Sequence, residues 1–189
     1  MKSLEDIGAR LYEEYKSGDD EAVGKLVDLY FDGLTLFING IIGDLDASQD
    51  VAQEVFIKIT TRKPRFSGKS TFKTWIYSIG QNKARDYLRK ERSRRTEPLD
   101  PEAARLLDED IEQYVIKNEQ NKEFYRGFMQ LKPEYRQALW LVYVEGLSVK
   151  QAAKIMKRSE GSVSGLISRG KYALSPLITE KGANKDERP

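Results

Sequence analysis

Hydrophobic residues recur along this chain at the three- and four-residue spacing of helices, and no segment sustains the alternation of a strand. The clearest run lies between Asp20 and Ile42. Its apolar members are Val23, Leu26, Val27, Tyr30, Leu34, Phe37, Ile38 and Ile41. A second run carries Phe72, Trp75, Ile76, Ile79, Ala84, Tyr87 and Leu88. The pattern therefore predicts an all-α protein.

Turn residues and prolines divide this pattern into helices. The first helix is predicted from about Leu4 to Tyr15 and ends near Ser17–Asp19. Another begins at Asp46, with Gln49 three residues on as the partner in a capping box, and ends before Pro64. Ser70 or Thr71 is then placed to cap a long helix that reaches about Lys90.

Composition and prolines separate two predicted domains. The first spans residues 1–95, and the second, residues 110–178, begins after an acidic linker at 96–109 that contains Pro98 and Pro101. A polar tail, 179–189, follows the second domain. We expect two small helical domains that fold independently, because the linker is not expected to contribute to either core.

The second domain contains the pattern of a helix-turn-helix. Ser148 and Gln151 form a capping box, small Ala153 allows two helices to cross closely, and the turn lies at Lys157-Arg158. In this motif the second helix presents its first turns to base edges in the major groove. The pattern alone leaves open a plain helical hairpin with a solvated basic face.

The composition excludes several classes of protein. The 189 residues include neither cysteine nor histidine, which removes thiolate chemistry, disulfides, the commonest general base and the commonest metal ligand. No apolar run approaches the roughly 20 residues that span a bilayer, and residues 1–15 are charged throughout, unlike a signal peptide. We expect a cytoplasmic protein with no cofactor, no metal and no membrane insertion.

Charge is distributed unevenly along the chain. Residues 58–95 hold thirteen basic and two acidic side chains, a net charge of +11, whereas the whole chain carries +2. Aromatic residues are interleaved with these bases, and Phe66 lies in a basic loop where a buried role is hard to arrange. Trp75 has the spacing of a core residue. Basic side chains contact phosphates and aromatic rings stack on unpaired bases, so this stretch suits opened DNA.

Taken together, four segments resemble the extracytoplasmic-function sigma factors of bacterial RNA polymerase. They are the opening segment 17–23, the helix 50–58, the Phe72–Ile76 helix with Asn82, Asp86, Leu88 and Arg89, and the segment 131–171. Their order and spacing match that family over about residues 15–178. The resemblance implies a non-enzymatic subunit that directs core polymerase to promoters and begins DNA opening.

The resemblance also implies three sets of contact residues. Contacts to the promoter −10 element fall on Arg65, Phe66, Lys69, Lys73, Asn82, Lys83 and Arg89. Contacts to the −35 element fall on Arg158, Ser159, Glu160, Ser162, Ser164, Arg169 and Lys171. Core polymerase is expected to dock on Asp50, Gln53, Glu54 and Lys58. An anti-sigma factor is a further expected partner.

The sequence departs from the family at the −35 helix. The usual Glu-Ile-Ala is here Gln151-Ala152-Ala153, and the usual Thr-Val-Lys-Ser-Arg is residues 162–166, Ser-Val-Ser-Gly-Leu. The loss of two basic residues weakens phosphate contact, and the gain of Gly165 lowers helix propensity.

Two other functions compete with this interpretation. A stand-alone helix-turn-helix regulator would bind intact duplex, but it leaves the basic first domain without a role. A nucleic-acid-processing enzyme could hold magnesium on paired carboxylates, for which Asp44 and Asp46 are the candidates.

Overall fold

The computed structural model describes residues 6–94, 125 and 127–182, with side chains as far as Leu177. Seven α-helices have both bounds in this part of the chain, and residues 125 and 127–129 are helical as well. The seven are α1 (Ile7–Lys16), α2 (Glu21–Ile42), α3 (Leu45–Thr61), α4 (Phe72–Arg94), α5 (Pro133–Leu139), α6 (Val149–Met156) and α7 (Glu160–Gly182). No strand occurs among these residues, and the all-α prediction is confirmed.

Side-chain caps fix where the helices of the first half of the structure, α1 to α4, begin. Asp6 accepts from the Ala9 amide at 3.1 Å to start α1, and Thr71 accepts from the Thr74 amide at 3.2 Å at the start of α4. The predicted capping box at Asp46 is wrong. Helix α3 is capped by Asp44, which accepts from the Ala47 amide at 2.9 Å, so Asp46 lies inside the first turn.

Helices α1 to α4 enclose one apolar core. Leu34 and Ile38 of α2, Ile59 of α3 and Ile76 of α4 are each almost fully buried within it. Aromatic rings close one end, where Tyr12 of α1 lies 5.4 Å from the ring centres of both Phe72 and Trp75. This end carries the loop between α3 and α4.

The second half of the structure, α5 to α7, is built around the two helices of the predicted helix-turn-helix. Helix α5 continues into a π-helical turn, Trp140–Val144, and a glycine turn then leads to α6. Both hydrogen bonds of the Ser148–Gln151 capping box are present. Lys157 adopts a left-handed conformation with φ of 56° and makes the turn before α7.

The predicted domain boundaries stay predictions. The linker at 96–109, the expected domain start at Asp110 and residues 183–189 lie outside the described residues. Helix α7 extends to Gly182, beyond the predicted end of the second domain at residue 178. Apolar contacts with α5 and α6 hold its first part, because Val163, Leu166 and Ile167 are buried.

The two halves pack directly against each other. Helix α4 lies along α6, and α2 contacts α5. The buried side chains of both halves form one continuous hydrophobic cluster. The sequence pattern did not predict this packing, and independent folding of the two halves stays a prediction.

Candidate nucleic-acid interface

The helix-turn-helix exposes the first turns of α7. The Ser159 hydroxyl accepts from the Ser162 amide at 3.2 Å, and Glu160 and Ser164 are exposed to solvent. Ser162 is half-buried at the edge of this surface. Arg158, in the turn, lies 3.6 Å from the Glu134 carboxylate of α5. The side chains that this motif offers to a groove are therefore mostly small and polar.

Two basic residues lie further along α7. The Arg169 guanidinium folds back over Gly165, 3.4 Å from the point where a Cβ would stand at that glycine. The Lys171 ammonium lies 4.4 Å from the centre of the Tyr143 ring, at the π-helical turn. Both basic side chains are exposed, so they remain accessible to phosphates.

The loop between α3 and α4 is anchored by tyrosines of α1. The Tyr12 hydroxyl donates to the Pro64 carbonyl at 2.8 Å, and the Tyr15 hydroxyl donates to the Thr60 carbonyl at 2.8 Å. Burial raises the pKa of Tyr12 to about 12, so its hydroxyl stays a donor. Arg65 and Lys69 project from this anchored loop into solvent.

Phe66 has a larger structural role than its position in a basic loop suggested. Its ring is half-buried, 5.7 Å from Phe72 and 5.4 Å from Trp75. Trp75 is itself half-buried and not enclosed in the core. The loop therefore presents the edge of an aromatic cluster, in which Phe66 and Trp75 form the layer nearest to solvent.

The remaining −10 candidates fall on different sides of α4. Asn82 and Arg89 are exposed and seven residues apart, which places them on one face about two turns apart. Lys73 stands nine residues before Asn82, on the opposite side, and its ammonium lies 3.1 Å from the Glu145 carboxylate. Lys83 pairs instead with Glu54 of α3. The structure thus brings Asn82 and Arg89 together and directs Lys73 and Lys83 elsewhere.

The candidate docking residues lie on the outer side of α3. Asp50, Gln53 and Glu54 are exposed, and Lys58 is half-buried beside them. Ile57 is 57% exposed in their midst, which the sequence pattern did not single out. A single exposed apolar side chain is ordinary on a protein surface, so the charged residues are what distinguish this face.

The magnesium alternative has little support from the geometry. Asp44 acts as the cap of α3 through its bond to the Ala47 amide. No group of three or more acidic side chains with metal-binding geometry occurs within 6–94, 125 and 127–182. Across the same residues, no helix is both long and apolar enough to cross a bilayer.

Comparisons with known proteins match both halves of the chain to one family. Residues 26–94 match the sigma-70 region 2 family and residues 122–174 match sigma-70 region 4. The RNA polymerase sigma-H factor of Pseudomonas aeruginosa is 32% identical over 185 residues, covering 90% of this chain and 95% of its own length. The ECF RNA polymerase sigma-E factor of Escherichia coli K12 is 30% identical over 181 residues, covering 89% and 94%. This chain is an extracytoplasmic-function sigma factor.

Solved structures share its fold. The sigma factor RpoE of Bartonella quintana, in complex with the anti-sigma factor NepR, gives a TM-score of 0.62 at 19% identity and covers 82% of this chain and 96% of its own. CnrH, in complex with the cytosolic domain of CnrY, gives 0.58 at 24% identity, covering 92% and 96%. Both likenesses extend across the two halves of this sigma factor.

Three residues at the contact between the halves were missed by sequence reasoning. They are Gly33 of α2, Tyr77 of α4 and Glu145 after the π-helical turn. Burial raises the pKa of Tyr77 well above its usual value, and the neighbouring Glu145 carboxylate, which accepts its hydrogen bond, adds to the shift. Glu145 precedes Gly146, as a surface turn residue would, so its burial is not predictable from the sequence pattern.

Proposed function

We propose that this sigma factor directs core RNA polymerase to promoters through three separate binding surfaces. The exposed face of α3, with Asp50, Gln53, Glu54 and Lys58, docks on polymerase. The helix-turn-helix of α6 and α7 binds the −35 element through Arg158, Ser159, Glu160, Ser162, Ser164, Arg169 and Lys171. The loop after α3, together with α4, binds the −10 element and favours its opening.

The observation that carries this proposal is the aromatic edge at Phe66 and Trp75, set between exposed Arg65 and Lys69. Aromatic faces next to phosphate-binding cations suit unpaired bases, whereas a duplex-binding regulator has no use for them. Stacking contributes about 1–3 kcal/mol per base, which offsets the few kcal/mol of unstacking. Asn82 and Arg89 continue the polar surface along α4.

In this proposal the protein is not an enzyme. It acts in the cytoplasm as a dissociable subunit of polymerase. An anti-sigma factor is a further proposed partner. Support comes from the RpoE structure, whose partner is the anti-sigma factor NepR. The two sigma domains are proposed to lie at 1–95 and 110–178, as the sequence analysis predicted.

Run-off transcription with purified core polymerase tests the proposed function. Genomic fragments should give discrete transcripts only when the sigma factor is added. Dimeric, sequence-specific binding to intact duplex without polymerase would favour a stand-alone regulator. Magnesium-dependent cleavage of the fragments would favour a nucleic-acid-processing enzyme, and either result would overturn the proposal.

A further inference from the structure

The two halves are joined by a carboxylate that one half inserts into the other. The Glu145 side chain is only 9% exposed and has three donors around it. Lys73 of α4 approaches it at 3.1 Å, Trp140 donates its indole N–H at 3.1 Å, and the Tyr77 hydroxyl donates as well. Two of these donors belong to α4, across the contact, so the carboxylate links the two halves through an ion pair and a hydrogen bond.

The site that receives Glu145 is shaped for it. A Cβ at Gly33 of α2 would stand 2.7 Å from both the Glu145 carboxylate oxygen and the Tyr77 hydroxyl oxygen. Only glycine leaves room for this pair at that position. Lys73 also donates to the Glu145 main-chain carbonyl at 3.1 Å, so the lysine holds both ends of the residue. Charge-assisted hydrogen bonds of this kind are about twice as strong as neutral ones.

The rest of the contact is rich in polar groups. The Gln81 and Gln137 amides meet at 3.0 Å, the Asn39 amide donates to Tyr125 at 2.8 Å, and Arg85 donates to the Met156 carbonyl at 3.2 Å. Within the part of the chain that the structure describes, three buried polar side-chain atoms have no hydrogen-bond partner. They are Thr35 Oγ1, Asn39 Oδ1 and Arg136 Nε. When the halves separate, these polar groups form hydrogen bonds with water. That hydration offsets much of the free energy that is lost with the contact.

The closed arrangement is incompatible with reading a whole promoter. The −10 and −35 elements lie about 25 base pairs apart by their positions, which is about 85 Å of duplex. In the structure α4 and α6 are in contact, with Arg85 only 3.2 Å from Met156. The fourteen residues of the proposed linker, 96–109, could reach about 50 Å when extended, and the two halves add their own length, so the chain is long enough to let the halves separate.

The polymerase-docking candidates remain accessible while the halves are closed. Asp50, Gln53, Glu54 and Ile57 are exposed on the outer side of α3. Helices α5 and α6 pack on α2 and α4 instead. The same conformation therefore leaves the docking surface free and ties Lys73 of the −10 set to a carboxylate.

From these observations we propose that Glu145 is an autoinhibitory latch. It occupies Lys73 and holds α6 against α4 in the free sigma factor, which can dock on core polymerase but cannot read both promoter elements. Docking precedes separation of the halves, and separation releases Lys73 for DNA phosphates. This inference rests on the proposed function for its consequence, but the latch itself is a property of the free chain.

Energy transfer between dyes on the two halves measures the latch without DNA. The chain has no native cysteine, so Lys25→Cys on α2 and Lys154→Cys on α6, both exposed, take the dyes specifically. Glu145→Gln should enlarge the separated population about tenfold. Its control, Asp28→Asn, removes one charge from the exposed face of α2 and should leave transfer unchanged.

A second pair of variants tests the same latch without changing charge. Gly33→Ala should displace Glu145 by the contacts given above and lower transfer. Gly24→Ala on the same helix has nothing within 4 Å of its new Cβ and should not. If Glu145→Gln and Gly33→Ala both retain wild-type transfer, the latch proposal is wrong.

A reversible cross-link tests the consequence for promoters. Gln151 of α6 lies 3.4 Å from Thr71 at the start of α4, so Thr71→Cys with Gln151→Cys can be joined by a bismaleimide with a reducible spacer. The cross-linked protein should bind core polymerase normally but transcribe from duplex promoters at less than a tenth of the rate of the untreated double variant. Reduction should restore transcription.

The outcomes separate the two proposals. Equal transcription by the cross-linked and untreated proteins would overturn autoinhibition, because a joined chain would then suffice. If the wild type directs no promoter-specific transcription at all, the proposed function fails. The transfer measurements on the free chain still decide in that case whether Glu145 holds the halves together.

Discussion

The Phe66 ring lies 5.4 Å from the Trp75 ring, and both are half-buried at the edge of the cluster that Phe72 anchors. This contact joins the basic loop to the first turn of α4. One ring therefore serves two purposes, since it packs on the core and also borders the surface where bases would stack. Substitution at Phe66 must be measured for both stability and promoter opening.

Phe66→Ala should cost about 1–2 kcal/mol of stability, less than the 3–5 kcal/mol of a fully buried phenylalanine. It should also slow open-complex formation on duplex promoters, and more so than on templates already mismatched across the −10 region, where unstacking is complete beforehand. Thermal unfolding and transcription on both templates measure these effects. Equal impairment on the two templates would indicate a purely structural ring.

Lys69→Ala provides the contrasting phosphate variant. Lys69 is exposed in the same loop, so its loss should leave stability unchanged. Binding of the polymerase complex to both templates should weaken similarly, with the salt slope smaller by about one unit. Lys73→Ala is less suitable for this comparison, because Lys73 also pairs with Glu145.

Charge reversal on α3 tests the docking surface. Asp50→Lys with Glu54→Lys should abolish core-polymerase binding, while stability changes by only about 0.5 kcal/mol because both side chains are exposed. Asp28→Lys with Asp32→Lys is the matched control, with the same charge change and four-residue spacing on the exposed side of α2. A folded α3 variant with normal polymerase affinity would show that docking uses another face.

The helices were predictable because their apolar spacing and caps are local. The Ser148–Gln151 box and the Thr71 cap both occur where the sequence placed them. Asp46 was mistaken for a cap because Asp46 and Gln49 satisfy the same spacing rule, and only the fold shows that Asp44 is used. Local chemistry therefore placed the helix starts to within about three residues, whereas α4 runs to Arg94, four residues past the predicted end at Lys90.

The contact between the halves was not predictable in the same way. Asn39, Gln81 and Gln137 are buried, yet amide side chains in an amphipathic pattern indicate a solvated face. Their burial depends on partners far along the chain, which periodicity does not reveal. The same applies to Lys73, whose charge suggested DNA but whose neighbour in the free chain is Glu145.

Separating the halves by proteolysis between Arg95 and Asp110 should give two helical fragments that each unfold cooperatively. Each fragment should melt at a lower temperature than the intact chain, because the contact of α4 with α6 and of α2 with α5 is lost. Mixing the fragments should raise both melting temperatures in a concentration-dependent way. A fragment without a cooperative transition would contradict the two-domain division.

Alkaline pH should weaken the first half. Burial raises the pKa values of Tyr12 and Tyr30 to about 12, whereas an unfolded tyrosine ionises near 10. Between these values the unfolded chain releases protons that the folded chain keeps, so the free energy of unfolding falls as pH rises from about 10 to about 12. Below this window the full contribution is present, and the absence of histidine should keep stability nearly flat from about pH 6 to 8.

Chemical denaturation at stepped pH, followed by tyrosinate absorbance, measures this loss. Tyr12→Phe removes one of these ionisations and should make the fall shallower, although it also loses the bond to Pro64. Tyr172→Phe should leave the slope unchanged, because that side chain is 87% exposed. Identical slopes for Tyr12→Phe and the wild type would show that Tyr12 does not carry the effect.

Two glycines of α7 should respond to alanine with opposite signs. Gly165 has an ordinary helical conformation, and the nearest atom to its new Cβ is the mobile end of Arg169 at 3.4 Å. Gly165→Ala should therefore stabilise the protein by about 0.5–1 kcal/mol through helix propensity.

At Gly170 the Cβ would stand 3.0 Å from Leu139 Cδ1 and 3.2 Å from Tyr135 Cβ, where α7 crosses α5 closely. Overpacking there outweighs the same gain, and Gly170→Ala should lower stability by about 1–2 kcal/mol. Thermal unfolding of both variants, with −35 duplex binding by the polymerase complex measured alongside, decides the point: stabilisation by both would mean that the crossing of α7 over α5 is looser than these distances imply.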